Sequence, residues 1–366
     1  MKITLERETL LRPLQAVIGV VERRHALPIL GNLLIEAGED GLTVTATDME
    51  VELVASIETA VEEAGRVTVP ARKLVDIVRN LPEGAMVTLR HGENGVAVTA
   101  ERSRFTLATL PATEFPNVEG VGETRPVVLP QRELRGLIAG TQFCMAVQDV
   151  RYYLNGLLLE LESGTVRAVA TDGHRLAVGT LEGDVQLDEP RQVIVPRKGV
   201  QELLRLLDEV DDPVRVELGG NHIRVSVGAL RFTSKLVDGR FPDYRRVIPE
   251  IGECVLEMDR ETARQALTRA AILSNEKYRG VRLSVGPGEL RIQSNNPEQE
   301  HAEEELAVEY QADAMEVGFN ASYLLDALGA LSGQTVRMGL VDANSSAILS
   351  DPADGRFRYV VMPMRL

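Results

Sequence analysis

Apolar residues recur along this chain with two alternating periods. Near its start, Leu11, Leu14, Ile18 and Val21 fall at helical spacing and predict a helix over 8–21. Residues 42–46 and 51–57 then alternate apolar with polar, as half-buried strands do. A second helix is predicted over 71–81, with Leu74, Ile77, Val78 and Leu81 on one stripe and Arg72 and Arg79 on the opposite face. The same succession then returns. Leu134, Leu137, Ile138 and Thr141 mark a helix, 166–170 a strand, and Val200, Leu203, Leu204 and Leu207 another helix, with Lys198, Gln201 and Arg205 on its far side. A third round is carried by Leu267, Ala270 and Ala271, and then by Leu324, Leu328 and Leu331, with Asn320 placed as an N-cap. The pattern predicts an α+β fold: antiparallel sheets with two helices per unit.

The repetition is legible residue by residue. "LTVTATDME" (42–50) resembles "VRAVATDGH" (166–174), and 124 residues separate Thr47-Asp48 from Thr171-Asp172, and those from Asn295-Asn296 in "LRIQSNNPE". "VPARKLVDIVRNLPEGAMVTL" (69–89) is echoed by "VPRKGVQELLRLLDEVDDPVRVEL" (195–218) and "FNASYLLDALGALSGQTVRMGL" (319–340). "SRFTLATLPATEFPNV" (103–118) returns as "LRFTSKLVDGRFPDYRRV" (230–247) and, truncated, as "RFRYVVMPMRL" (356–366). Three domain-sized repeats of about 120 residues follow, with boundaries expected at 1–124, 125–250 and 251–366 and joints near 119–126 and 248–253.

Charge sharpens the picture. The net charge is −15, which taken alone argues against a nucleic-acid partner. Its distribution argues otherwise: the six predicted helices carry twelve Lys and Arg against six Asp and Glu. Basic residues on the solvated side of amphipathic helices explain this without any partner. If all six helices lie on one side, the alternative is a basic wall with an acidic back, suited to a phosphate backbone.

Little else suggests chemistry. No phosphate-binding loop, nucleophile elbow, zinc-protease helix or paired C-x-x-C is present. Cys144 and Cys254 show neither disulfide nor metal spacing and read as thiols of a reducing compartment. Neither a leader-like apolar stretch in "MKITLERETLL" nor a run of about 18 apolar residues is found, so a cytoplasmic place is expected. Asp172 and His174 could form an acid–base pair, the basis of an alternative reading as a nucleic-acid-processing enzyme, yet Thr-Asp-Gly also reads as a turn. Tyr152 and Tyr153, taken as strand neighbours, would point to opposite faces, one to the core and one toward a partner.

"LPILGNLL" (27–34), "TDGHRLAV" (171–178), "VPRKGV" (195–200), "FTSKLVDGRFPDYRRV" (232–247), "AILSNEKYRGVRL" (271–283) and "YVVMPMRL" (359–366) closely resemble the DNA polymerase III beta subunit family, the bacterial sliding clamps, and the resemblance spans the chain. It implies three tandem DNA-clamp domains, a head-to-tail homodimeric ring with helices lining the hole, no catalytic residues, no cofactor and no metal. It also implies duplex DNA, a polymerase catalytic subunit, a clamp loader and other clamp-binding proteins as partners. Carried over onto this sequence, Arg24, Arg72, Gln148, Tyr152 and Tyr153 match DNA-contacting positions, with Arg197 and Lys198 extending that face. Ring closure would use Arg102, Arg104, Phe105 and Leu107 on one side and Ile272, Leu273, Glu298, Glu300, Glu303 and Glu304 on the other. The partner-peptide pocket would comprise Leu154, Thr171, Gly173, His174, Arg175, Leu176, Pro242, Arg246, Val247, Asn320, Tyr323, Ser346, Val360, Val361, Met362, Pro363, Met364 and Arg365, with Asn344 departing from the apolar residue expected at its edge.

Overall fold

A computed structural model of the chain describes every residue except 23, 25, 26, 119, 123–125, 184, 188 and 366. Part of the "VERRHALP" loop, part of the joint expected at 119–126 and the last leucine therefore lie outside the described residues.

Six α-helices occur among the described residues: α1 (Arg7–Val17), α2 (Ala71–Asn80), α3 (Gln131–Ala139), α4 (Arg197–Leu206), α5 (Arg260–Ala271) and α6 (Ala321–Ala330). They are the six that the apolar spacing predicts. Asn320 caps α6, its side-chain oxygen accepting from the amides of Ser322 and Tyr323, and Asp259 does the same for α5 through Thr262. The first helix differs in detail. It ends at Val17, continues as a 3₁₀ turn over Ile18–Val20, and buries Leu10, Leu14 and Val17, while Leu11 and Ile18 are half-buried. Leu10-Leu11 and Val17-Ile18 are adjacent apolar pairs, so two stripes one residue apart have equal helical spacing, and packing chooses between them.

The chain forms two compact units, Met1–Arg135 with Lys198–Leu236 and Gly136–Arg197 with Val237–Leu366. The first holds an eight-stranded antiparallel sheet in the order Gly65–Pro70, Asn32–Gly38, Gly41–Thr47, Val51–Ile57, Leu230–Lys235, His222–Val227, Pro213–Leu218, Val127–Pro130. The second holds its counterpart, Arg191–Pro196, Gly156–Glu162, Thr165–Thr171, Arg175–Glu182, Phe357–Val361, Ala347–Ser350, Thr335–Gly339, Val255–Asp259. Each large sheet joins two repeats. Val51–Ile57 pairs with Leu230–Lys235 in the first, and Arg175–Glu182 pairs with Phe357–Val361 in the second. Each unit also carries a four-stranded sheet. One runs Lys2–Glu6, Met86–Gly92, Gly95–Ala100, Ser103–Leu107; the other runs His301–Ala307, Glu289–Asn295, Gly280–Gly286, Met315–Asn320.

The repeats agree down to single hydrogen bonds. In the first Thr-Asp turn, Thr47 Oγ1 donates to the carbonyl of Val51 and accepts from the amide of Met49, while Asp48 accepts from the amides of Glu50 and Val51. In the second, Thr171, Gly173, Asp172, His174 and Arg175 make the same four bonds. Met49 and Gly173 both have positive φ, 78° and 89°. Each turn is an aspartate-capped reversal whose central residue must be left-handed, a conformation that favours glycine and strains methionine.

Candidate interaction surfaces

The aspartate-capped turn accounts for Asp172 and His174 without a catalytic centre. The Asp172 carboxylate is fully engaged: Oδ1 accepts from two backbone amides and Oδ2 from Nε of Arg175 at 3.1 Å. Its counterpart Asp48 does the same structural work with no histidine beside it. Among the described residues, no group of three His, Cys, Asp or Glu is placed to hold a metal, and no helix is long and apolar enough to cross a membrane.

In the second unit, one face of the large sheet grades from apolar to charged. Thr171, Leu176, Val360 and Ile348 lie side by side across four strands. Leu154, Leu158, Leu176, Val178, Ile348 and Val360 form one buried cluster beneath the segment that holds Phe241 and Tyr244. Above this floor the exposed groups are His174, Pro242, Arg246, Val247 and Met362. Two rows further along the sheet, buried Glu160 accepts from Tyr244 Oη at 2.7 Å and faces Arg167 and Arg245. Burial, then this bond to a carboxylate, push the Tyr244 phenol up to about 12.

The C-terminal tail edges the same floor. After Val361 leaves the sheet, the amide of Met362 donates to the carbonyl of His174, and that of Met364 to the carbonyl of Gly318. Val247 and Met362 each expose about two-fifths of their surface, 44% and 40%, over a buried Leu and Val floor. Exposed apolar side chains thus stand beside a buried apolar layer, with His174 and Arg246 exposed nearby. Of the eighteen residues expected to line the pocket, Leu154, Leu176, Val360 and Val361 are buried. Thr171, Gly173, Arg175, Asn320, Tyr323, Ser346, Pro363 and Met364 are half-buried, and His174, Pro242, Arg246, Val247, Met362 and Arg365 are exposed. All eighteen belong to one unit.

Arg175, expected among the pocket residues, has its guanidinium engaged within the chain. Its guanidinium donates to Asp172, Asp326 and the carbonyl of Phe143, and lies 4.5 Å over the Tyr323 ring. It therefore holds Tyr323 and α6 against the turn, which leaves His174 and Arg246 as edge groups; Arg246 is ion-paired to Asp243 at 2.9 Å and remains largely exposed. Asn344 is exposed in a turn capped by Asp342.

The basic residues of the helices divide into two kinds. One arginine in each repeat reaches from its first helix to the C-terminal carbonyls of the second. Arg7 donates to Val78 and Arg79, Arg135 to Leu204 and Leu207, and Arg260 to Leu328 and Gly333. A cation there is favoured by the unsatisfied carbonyls at a helix end. Others stay exposed, among them Arg12, Arg72, Lys73 and Arg79. Arg24 is exposed in its loop. Arg72 donates to the carbonyl of Val21 at 2.8 Å, and Arg197 to that of Met145 at 3.1 Å. Lys198 is tied to Glu22 and Asp48, so part of its charge is already neutralised.

Tyr152 and Tyr153 occupy a 3₁₀ turn, Tyr152–Leu154, and not the strand the sequence suggested. Tyr152 is exposed and Tyr153 packs on the buried cluster, so one ring meets solvent and one the core on a different backbone from the one expected. The preceding loop is firmly built. Asn155 bonds both the amide and the carbonyl of Asp149, and Arg151 holds the Asp149 carboxyl down to about 2. Gln148 sits within that loop at φ 55°.

Among the edge strands of the four sheets are Ser103–Leu107 and His301–Ala307, one on each four-stranded sheet. On the first, Arg104 and Phe105 are exposed, as is Arg102 in the turn before it, while Leu107 is only 6% exposed and belongs to the core of its own repeat. Leu107 shares a sheet face with Phe105 and stands opposite fully buried Val96, where the core of its own repeat covers it while Phe105 stays exposed. Near the second, Ile272 is 72% exposed just past α5, with Leu273 half-buried. Glu298, Glu300 and Glu303 are exposed. Glu304 is held by Arg269 of α5 at 2.6 Å, which lowers its carboxyl below the usual range. The edge-strand status of both segments was hidden in the sequence, since each looks like the equivalent strands of the other repeats, which are paired inside the chain.

Family models for the N-terminal, central and C-terminal domains of the DNA polymerase III beta subunit match residues 1–119, 128–243 and 245–365. The beta sliding clamps of Pseudomonas aeruginosa and Escherichia coli K12 are each 53% identical to this chain, covering all of both chains. A crystal structure of the P. aeruginosa DNA polymerase III subunit beta superposes with a TM-score of 0.98 at 53% identity over the full length of both. Another structure of that protein, TM-score 0.96 and also full-length, is bound to griselimycin.

Proposed function

The chain belongs to the DNA polymerase III beta subunit family, and from that premise we propose that two copies close head to tail through Ser103–Leu107 of one and His301–Ala307 of the other. It is a processivity clamp for a DNA polymerase and not an enzyme.

The observation that carries the ring is the pairing of equivalent strands. Within the chain, the strand after each Thr-Asp turn pairs with the "RF"-type strand of the next repeat, Phe232 opposite Leu53 and Tyr359 opposite Ala177. One strand of each kind has no such partner within the chain: Ser103–Leu107 of the first repeat and His301–Ala307 of the third. His301 stands opposite Asn295 as Glu52 stands opposite Thr47, so the same register places Phe105 opposite Ala302 and Arg104 opposite Glu303 of a second chain. Phe105 then lies on the α5 side of that sheet, beside Ile272 and Leu273, and Arg102 lies toward Glu305. An apolar centre with complementary charge around it supplies affinity and register. Because the contact is heterologous and each repeat turns about a sixth of a circle, two chains of three repeats close a ring. The repeats are assigned to 1–124, 125–250 and 251–366.

The test is the mass in solution, which should be that of two chains. Glu303→Arg should weaken the dimer about tenfold or more, and adding Arg104→Glu in the same chain should restore it. A double variant no better than the single one would refute this register.

Duplex DNA is the encircled partner, met by the helices through Arg24, Arg72, Gln148, Tyr152, Tyr153, Arg197 and Lys198, without base readout, as sliding requires. Binding should be weak, independent of sequence and steeply salt-dependent. Replacing Arg24 and Arg72 with Ala should lower affinity for a short duplex several-fold and flatten the dependence of log affinity on log salt by about 1–2, roughly one for each phosphate no longer neutralised. Unchanged slope and affinity would remove these residues from the DNA face. Polymerase catalytic subunit, clamp loader and other proteins bearing a short clamp-binding peptide would share the apolar site of the second unit, in the cytoplasm on the replicating nucleoid.

A further inference from the structure

The loop that follows the first helix of each repeat contributes DNA-facing residues in repeats one and two, through Arg24 and through Gln148, Tyr152 and Tyr153. The third repeat has the same loop, over 272–279, and its polar residues serve neither ring closure nor the proposed peptide site. Spacing fixes the correspondence: Asn32, Gly156 and Gly280, each 124 residues apart, all stand opposite the residue that precedes the second helix, Pro70, Pro196 and Asn320. Lys277 thus takes the place of Tyr153, and Arg279 that of Asn155.

This loop is hydrogen-bonded along its length and carries Lys277 and Arg279 against one acid, exposed Glu276, at the place of Tyr152. Asn275 Oδ1 accepts from the amides of Lys277 and Tyr278, and the Asn275 carbonyl accepts from the amide of Arg279. Its far end is pinned to α6, where the Ala321 amide donates to the carbonyl of Arg279 and the Asn320 side chain to that of Tyr278. Arg279 is held at φ 49°. Five non-glycine residues of the described chain have positive φ; Met49, Glu101 and Gln299 lie in turns between strands, and Gln148 and Arg279 are the two in these loops. Strain of this kind persists where the surroundings fix a side chain's direction. Lys277 lies 5.2 Å from the centre of the Tyr278 ring, which is 55% exposed, and Arg279 is exposed. Neither cation has a carboxylate within ion-pairing distance among the described residues, in contrast to Lys198, Arg264 and Arg269.

We propose that the loop Asn275–Arg279 is a third DNA-contacting element, with Lys277 and Arg279 on backbone phosphates and the exposed Tyr278 face against the sugars. The proposal rests on the clamp reading and adds a site to it. Fixed cations on a capped loop attract phosphate with little ordering cost, and an aromatic face binds sugar without reading sequence.

The test uses the full-length dimer and a fluorescein-labelled short duplex, titrated across a range of salt. Arg279→Gly suits the left-handed backbone, so it removes the charge without unfolding risk, and Lys277→Gln keeps the length of the side chain. The pair should lower affinity about three- to tenfold and flatten the salt slope by about 1–2, with dimer mass and clamp-binding peptide affinity unchanged. The Arg24→Ala/Arg72→Ala protein serves as reference. If it loses DNA affinity while the loop variant does not, the loop inference is overturned and the clamp reading stands. If neither loses affinity, the DNA face itself is wrongly placed. A loop variant that instead loses peptide affinity would assign the loop to the partner-protein site and equally overturn the proposal.

Discussion

Replacing Ile272 and Leu273 together with alanine should give folded chains that sediment as monomers at low micromolar concentration. Ile272 is 72% exposed in the single chain, at the end of α5, where no core needs it. Closing the ring would bury it and Leu273 against Phe105 of the next copy. A leucine-sized side chain removed from water contributes about 1.5–3 kcal/mol. Truncating two at each of two contacts therefore raises the dissociation constant at least a hundredfold, at about 1.4 kcal/mol per tenfold. Stability of the chain itself should barely change, because surface truncations away from special features stay within about 0.5 kcal/mol. Analytical ultracentrifugation with circular dichroism separates the two effects. A persistent dimer with a native spectrum would place closure elsewhere.

Deleting residues 362–366 should abolish binding of a clamp-binding peptide while the dimer persists. The strand Phe357–Val361 stays whole, paired on both sides, and Tyr359 still donates to the carbonyl of Gly140. Among the described residues, two backbone bonds go with the tail, from Met362 to His174 and from Met364 to Gly318. What is removed is the part of the proposed peptide site that the tail supplies: exposed Met362, half-buried Pro363 and Met364, and exposed Arg365. Methionines adapt to different ligand side chains, as a site shared by several partners requires. With one or two apolar anchors at about 1.5–3 kcal/mol each, a few hydrogen bonds and the cost of ordering the peptide, micromolar affinity near −8 kcal/mol is expected. The milder Met362→Ala/Met364→Ala chain should lose about tenfold. Undiminished peptide binding by the truncated dimer, measured by fluorescence anisotropy, would move the partner site off the tail.

Much of this was legible in the sequence because it depends on local pattern. Helical spacing of Leu74, Val78 and Leu81, the N-cap at Asn320, the Thr-Asp turns and the 124-residue period all arise from interactions within or beside one element. The six helices, the α+β class and the threefold repeat follow from them, as does the resemblance that points to the clamp family.

Residue-level roles were decided by neighbours distant in sequence. Local spacing gave Leu10 and Leu11 equal claims on the core, and packing selected Leu10. Leu107 looked like a partner-facing residue beside Phe105, yet the core of its own repeat covers it, opposite Val96. Arg175 and Lys198 read as free surface cations, yet Asp326 and Glu22, 151 and 176 residues away, hold them. Nor could the period reveal which repeated strands remain unpaired, since Ser103–Leu107 and His301–Ala307 carry the same kind of sequence as strands paired within the chain. A repeat specifies each unit's internal bonds, which form between neighbours. Which edges are left open for a second copy, and which charges for DNA, depends on what the remainder of the chain has already covered, and only the tertiary structure determines that.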